Sequence, residues 1–399
     1  MVDTTSNILE LGNVAFYWRM RSIAKEVHPH IPASLPFSFA FNPKLQLIIE
    51  ASSTETLDWL SEVYKEDQNV GYLQEGHALS QPYGTEFLRF VEEVINTRSS
   101  NPHSFMDIGC GGVYMLKLLK ERGFDVYGVD PSPVTIKAAE CVGIPIIPEF
   151  YPFSTPQARI VDVIYHHNVL EHVSEPEKFL SAHHANLAKN GLVLIAVPDC
   201  SEHISRGDIS MRLQEHLNYF DQESLKATVE AAGFDVLEIK RSAYGGVLYC
   251  AAAASGSIAK NTKTIASVSG DAKFDIFYRR ASIVIGRIQK FIVQTATIPN
   301  SQLGIYVPLR AMPYVCSTVN RPTLRFFDDD PGLKNRYFDG FDLPVEDFED
   351  FVRNPPSHLL IASYAFDEQL KKKVIDHFGD AIEICSLRDF TCFDDEGIS

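Results

Sequence analysis

Between Ser104 and Pro198 short apolar runs alternate with stretches of helical periodicity, and this alternation constrains the fold more than any other property of the chain. Ser104-Phe-Met-Asp-Ile reads as a buried strand, and Tyr114 to Arg122 as a helix ended by Gly123. Phe124 to Asp130 reads as a second strand, followed by a helix from Ser132 to Cys141. Ile144-Pro-Ile-Ile, Val161-Asp-Val-Ile-Tyr and Gly191 to Pro198 give three further strands, with a helix over Glu177 to Leu187 before the last. Short apolar strands separated by helices require a parallel sheet covered on both faces, because each crossover places a helix on one side.

The flanks read differently. A chain of 399 residues exceeds what one hydrophobic core supports, so several domains are expected. Residues 1–80 contain a Pro-punctuated stretch from His28 to Pro43 and a short strand at Leu45 to Glu50, a small N-terminal module. The helix at Phe87-Leu-Arg-Phe-Val-Glu-Glu-Val opens a central domain over 81–254, closed by Gln222 to Ala232 and by strands at Gly233 to Ile239 and Gly246 to Ala253. Residues 255–300 read as a Ser/Gly/Lys/Thr-rich linker and an amphipathic helix, Ile276 to Val293, with basic residues outward. From 301 to 399 strands at Leu303, Leu324, His358 and Ile382 alternate with helices at Val345 to Val352 and Phe366 to Phe378, a second, smaller α/β domain.

The chemistry starts at Met106-Asp-Ile-Gly-Cys-Gly-Gly112, where the first strand ends. Glycines at 109 and 111 let the backbone turn tightly and approach a ligand, and the turn feeds a helix N-terminus. Asp130 stands nineteen residues after Gly111 at the tip of the second strand, where a carboxylate accepts both hydroxyls of a ribose. A dinucleotide fold carries G-x-G-x-x-G; here an acid precedes the first glycine, Asp107-x-Gly109-x-Gly111, which argues against an NAD-dependent oxidoreductase.

Asp107-x-Gly109-x-Gly111 resembles the signature of class I S-adenosyl-L-methionine (SAM) methyltransferases, and the likeness continues through Asp162-Val-Ile-Tyr-His-His-Asn-Val-Leu-Glu-His-Val and Asn190-Gly-Leu-Val-Leu-Ile-Ala-Val-Pro. The resemblance implies a Rossmann-like domain in which Asp107, Gly109, Cys110, Gly111, Asp130, Pro131 and Asn168 hold SAM. The frequent third glycine falls on Val113, with Gly112 one place early. Glu215-His216, with Tyr219-Phe220 downstream, is similar to a segment of sugar C-methyltransferases that act on nucleotide-linked ketosugars. Leu213 and Gln214 replace that family's Tyr and first His, whereas Asn168 and His172 match its Asn-x-x-x-His segment and Gly245-Gly-Val-Leu part of another element. Those enzymes carry a small zinc module, a SAM domain and a Rossmann-like third domain. Leu9-Glu-Leu-Gly and Leu35-Pro-Phe echo the zinc module, yet no cysteine precedes Cys110, so the resemblance implies a metal-free lid. Phe327-Asp-Asp-Asp-Pro-Gly echoes the third domain, whose glycine-rich turn here reads Ile305-Tyr-Val-Pro-Leu-Arg-Ala.

Methyl transfer from a sulfonium needs alignment of donor and acceptor and, for most acceptors, removal of a proton. The family's reading makes His216 that base, with Glu215 and His172 beside it, acting on carbon or oxygen of a small acceptor of the nucleotide-linked sugar type. His166 and His167 read as ordinary strand-end residues, and no metal-ligand set completes around them. Two alternatives stand: a degenerate methyltransferase serving as a SAM-binding or scaffold subunit, and an O- or N-methyltransferase of natural-product biosynthesis.

Other classes are disfavoured. A net charge of −16 opposes a nucleic-acid partner. No apolar run reaches the roughly 18–20 residues of a membrane span, and no signal peptide is visible at Met1 to Gly12. Seven scattered cysteines without a C-x-x-C pair fit a reducing cytoplasm, so a cytoplasmic monomer or homodimer is expected.

Overall fold

A computed structural model describes residues 8–16, 22–23, 32, 34–51, 54–66, 80–97, 102–154, 159–213, 215–255, 268–298, 301–316, 324–338, 340–364 and 366–393. Most of the Pro-punctuated stretch before Ser34, most of the linker over 255–267, and Gln214 lie outside the described residues. The N-terminal segment contributes β1 (Leu9–Ala15), β2 (Ser34–Asn42), β3 (Leu47–Glu50) and α1 (Thr54–Glu66). Alternation in Leu35-Pro-Phe-Ser-Phe-Ala-Phe buries Leu35, Phe37, Phe39 and Phe41 on one face, the period-2 pattern of a half-covered antiparallel sheet.

The central domain runs α2 (Ser80–Thr97), β4 (Ser104–Ile108), α3 (Tyr114–Glu121), β5 (Asp125–Val129), α4 (Pro133–Val142), β6 (Ile146–Ile147), β7 (Val161–His167), α5 (Pro176–Ser181), β8 (Leu187–Pro198), α6 (Ser201–Arg206), β9 (Asn218–Tyr219), α7 (Gln222–Ala231), β10 (Phe234–Arg241) and β11 (Val247–Ala254). Seven strands form one sheet in the order β10-β11-β8-β7-β4-β5-β6. The five from β8 to β6 are parallel, and β11 and β10 close the edge antiparallel. Both faces are buried. Along β8, Val193, Ile195 and Val197 join one core cluster, while Leu192, Leu194 and Ala196 join the other. Continuous apolar runs are what such a two-sided strand demands.

Local differences from the expected elements have physical causes. The helix expected over Glu177–Leu187 stops at Ser181 and tightens into a 3-10 turn over Ala182–Ala185, and Leu187 already belongs to β8. β9 leaves the central sheet and pairs with β3, so the N-terminal sheet has the order β1-β2-β3-β9. The N-terminal module is therefore stitched to the segment that carries Glu215 and His216.

After the linker come α8 (Val268–Thr297), β12 (Leu303–Tyr306), α9 (Pro308–Cys316), β13 (Leu324–Phe327), β14 (Val345–Glu346), α10 (Phe348–Arg353), β15 (His358–Ile361), α11 (Asp367–Phe378), β16 (Glu383–Ser386) and α12 (Leu387–Phe390). Val345-Glu346 is a strand rather than a helix start, because the Asp347 side chain accepts from Asp350 N and caps α10 there. The C-terminal sheet, β14-β13-β12-β15-β16, is parallel throughout. The amphipathic α8 buries Phe274, Phe277, Ala281, Val284, Ile288 and Ile292 at helical spacing, in one core with Phe39 and Ile48 of the N-terminal sheet and Ile305 and Phe326 of the C-terminal sheet. Rather than linking the domains loosely, it joins them.

Gly207, after α6, has φ +67, and a Cβ there would stand 2.3 Å from Ala281 N and 2.4 Å from Arg280 C on the α8 backbone. Neither backbone atom can give way cheaply. Gly207→Ala is expected to destabilise the protein by about 2–5 kcal/mol, the sum of a left-handed penalty and overpacking; urea or thermal melting reads the loss.

Candidate functional site

The carboxyl end of the parallel sheet brings the residues of the glycine loop together. Asp107 on β4 pairs with Gly128 on one side and Tyr165 on the other, and its side chain is buried. Burial pushes its carboxyl well above the ordinary carboxylate range; the Tyr165 hydroxyl counters this and the charge of Asp130 adds to it. Gly109, at φ +72, donates from N to Val129 O at 2.8 Å. A Cβ at 109 would lie 2.6 Å from Cγ2 of Val169, so this glycine is required by conformation and by the close approach of the loop after β7.

Asp130 closes the loop. Its Oδ2 accepts from Gly111 N at 3.0 Å and its Oδ1 from Ser132 N at 2.8 Å. A carboxylate has about four lone-pair positions, so beside these two bonds and the neighbouring Thr135 hydroxyl there is still room for a hydroxyl donor. Burial raises its pKa, and these backbone donors oppose the rise.

The displaced glycine is explained by Val113, which takes φ +55, the left-handed conformation a glycine supplies more cheaply, at the N-cap of α3. Val113 holds this turn at a cost in backbone strain, which the burial of its side chain in the core helps to offset. Val307 at the corresponding turn of the C-terminal sheet does the same at φ +60. Above that turn Tyr306 donates to Asp329 Oδ1 at 2.7 Å and Lys373 Nζ lies 2.7 Å from the same oxygen.

Other expected cofactor residues differ in how they present themselves. The Cys110 thiol packs in the core, so only its backbone faces the loop, and burial pushes the thiol well up. Pro131 is exposed between Asp130 and Ser132. Asn168 has φ +54, donates from N to Ala196 O at 2.9 Å, and carries a buried Oδ1 with no partner among the described residues. The His166 ring is fully buried against Phe179 and His183, a core position that lowers its pKa to about 3. His167 packs edge-on against Phe87 with burial lowering its pKa to about 4, so both rings are neutral.

The second cluster lies beyond β7. Leu170–His172 form a 3-10 turn held by Asn218, whose Nδ2 donates to Leu170 O at 3.1 Å and Val173 O at 2.7 Å. Leu217 N donates to Glu171 O at 2.7 Å, and His172 Nδ1 lies 2.8 Å from Glu215 O. The rings of His172 and His216 meet edge to face, with centroids 4.9 Å apart. Glu215 thus supports the site through its backbone carbonyl. Burial pushes the His216 pKa well down, with His172 and Arg310 adding to the shift, so the ring is neutral at physiological pH. Glu171, which the expected site omitted, is 1% exposed; burial lifts its carboxyl to about 7, with His172 pulling the other way. Its sequence signal was an acid between two apolar neighbours and a histidine in Leu170-Glu-His-Val. Arg310, from α9, brings a positive charge of the C-terminal domain toward His216.

Residues 77–239 match the family profile described as "Methyltransferase domain". This stretch is a methyltransferase domain. The match spans the glycine loop, Asp130 and both histidines of the second cluster. Over 98 residues the chain is 32% identical to the ubiquinone biosynthesis O-methyltransferase of Brucella ovis, covering 23% of this chain and 40% of that protein, and the Brucella abortus protein of the same name matches equally. The chain thus spans under half the length of these curated relatives. Among solved structures, the N-methyltransferase NodS from Bradyrhizobium japonicum in complex with S-adenosyl-L-homocysteine is 16% identical with a TM-score of 0.37, covering 50% of this chain and 98% of that one. A SAM-dependent methyltransferase from Clostridium acetobutylicum is 9% identical with a TM-score of 0.36, covering 43% and 92%. Likeness that loose says nothing about the site. Among the described residues no helix is long and apolar enough to cross a membrane.

Proposed function

We propose that the chain is a methyltransferase that moves the methyl group of SAM to oxygen or carbon of a small, sugar-like acceptor, with His216 as the proton acceptor. The observation that carries the reading is Asp130, whose two oxygens tie Gly111 and Ser132 while keeping free lone pairs at the end of β5. Asp130 would take the ribose hydroxyls, the backbone of Gly109 to Gly111 the amino-acid end, and the unpartnered Oδ1 of Asn168 a polar hydrogen of cofactor or acceptor. The cofactor, when bound, supplies a methyl group activated by a sulfonium.

The second cluster handles the proton. A neutral His216 has a lone pair ready, and Glu171, with a ligand-capable oxygen within 4.8 Å of those of His172 and His216, offsets the charge that the imidazole gains. An acceptor hydroxyl losing its proton attacks as an alkoxide; a carbon beside a ketone attacks as an enolate. The Brucella relatives are O-methyltransferases by name, which favours oxygen. The Glu215-His216 segment favours a nucleotide-linked ketosugar. Incubation with methyl-labelled SAM and a panel of nucleotide-linked ketosugars and phenolic acceptors separates the two, since hydriodic acid releases the label from an oxygen product as methyl iodide and leaves a carbon-bound methyl in place. No labelled product from any acceptor, with SAM bound, would count against the reading.

A further inference from the structure

We propose that Glu171, His172 and His216 form a binding site for a divalent first-row transition cation, placed where the acceptor oxygen arrives. The inference rests on the reading above only in placing the acceptor at this cluster. One ligand-capable atom from each of the three residues lies within 4.8 Å of the other two. Two ligands on one ion at ordinary bond lengths stand up to about 4.2 Å apart, so a small inward shift of side chains completes the set.

Three independent features point to a ligand. Glu171 is 1% exposed, yet both carboxylate oxygens lack a hydrogen-bond partner among the described residues. A buried carboxylate in that condition is costly unless it is paired or coordinates a cation. Its Oε1 points at His172 Nε2, 3.7 Å away. His172 in turn is oriented from outside: Nδ1 donates to the Glu215 carbonyl at 2.8 Å, which leaves the lone pair on Nε2, facing the cluster. A backbone carbonyl behind a histidine is the usual outer partner of a metal ligand, fixing both tautomer and ring angle. Finally, Asn218 and Leu217 clamp the turn that carries Glu171 and His172 onto the strand after His216, so the three ligands are held by two bonded segments rather than by mobile loops.

Two imidazoles and one carboxylate suit zinc, manganese, iron, cobalt or nickel better than magnesium or calcium. With three protein ligands, coordination positions remain open for the acceptor. With the cation bound, the lone pair of His216 would go to it, and His216 would act as a ligand in place of the proton acceptor proposed for the metal-free chain. The cation would then acidify an acceptor hydroxyl that coordinates through oxygen, its proton passing to solvent, and that oxygen would form the bond to the methyl carbon as the carbon–sulfur bond breaks onto sulfur.

The test is metal uptake by the full chain, stripped with chelator and dialysed against Mn(II) or Zn(II) at micromolar concentration. One equivalent of Mn(II) should bind, with a broadened electron paramagnetic resonance signal. Glu171→Gln and His172→Gln should each weaken uptake by at least about 10–100-fold. SAM affinity, measured on the same samples, reports whether each variant is folded and should not change. No stoichiometric uptake by a parent chain that binds SAM would overturn the proposal, as would uptake that both variants retain. Metal binding without methyl transfer to any acceptor would leave the site standing and count against the assigned reaction instead.

Discussion

His216→Ala is expected to lower turnover by about 100- to 10,000-fold, the usual contribution of a positioned proton acceptor, while SAM affinity stays near that of the parent. His216 lies outside the loop built by Gly109, Gly111 and Asp130, so truncating it leaves the cofactor contacts in place. The ring is packed edge-on against His172, and its loss frees that ring to move as well. The His216→Gln variant controls for volume. It keeps a polar side chain but has no basic nitrogen, so it should be nearly as inactive as the alanine variant. If single-turnover assays with saturating SAM showed either variant transferring methyl at the parental rate, His216 would be a packing residue only.

The second large effect is expected at Asp130. Asp130→Ala removes the acceptor for Gly111 N and Ser132 N together with the lone pairs assigned to the ribose. Charge-assisted hydrogen bonds contribute about 1.5–3 kcal/mol each, and losing the equivalent of one weakens SAM binding roughly 10- to 150-fold. Ser132 is the N-cap of α4 and its N donates to Asp130, so some loss of stability accompanies the loss of affinity. Asp130→Asn keeps one oxygen acceptor but no charge and should fall between parent and alanine. Competition binding with S-adenosyl-L-homocysteine reads all three. Equal affinity across the series would place the ribose elsewhere.

Much of the central fold was legible because its signals are local. A strand buried on both faces must be continuously apolar, and Gly191 to Pro198 is; a turn against Val169 must be glycine, and Gly109 is. The acid–glycine spacing likewise lies within one strand-turn-helix unit. What stayed hidden depends on partners distant in the chain. Nothing near Asn218 announces that it pairs with Ile49, yet that pairing ties the N-terminal sheet to the second cluster. Glu171 and His216 are separated by more than forty residues, and periodicity carries no information on their meeting. Val113 and Val307 are a different case: they adopt left-handed backbone that β-branched residues rarely take, so nothing in the residue type announces the turn conformation they hold. Tertiary packing decides such positions, and Val113 is buried on the core side of its turn.

The most direct test of the account is a calorimetric titration of the purified full chain with SAM. The geometry of Gly109, Gly111 and Asp130 predicts one saturable site per chain, weakened roughly 10- to 150-fold in Asp130→Ala. A folded chain that takes up no SAM at millimolar concentration would contradict the account and leave the methyltransferase domain as a scaffold.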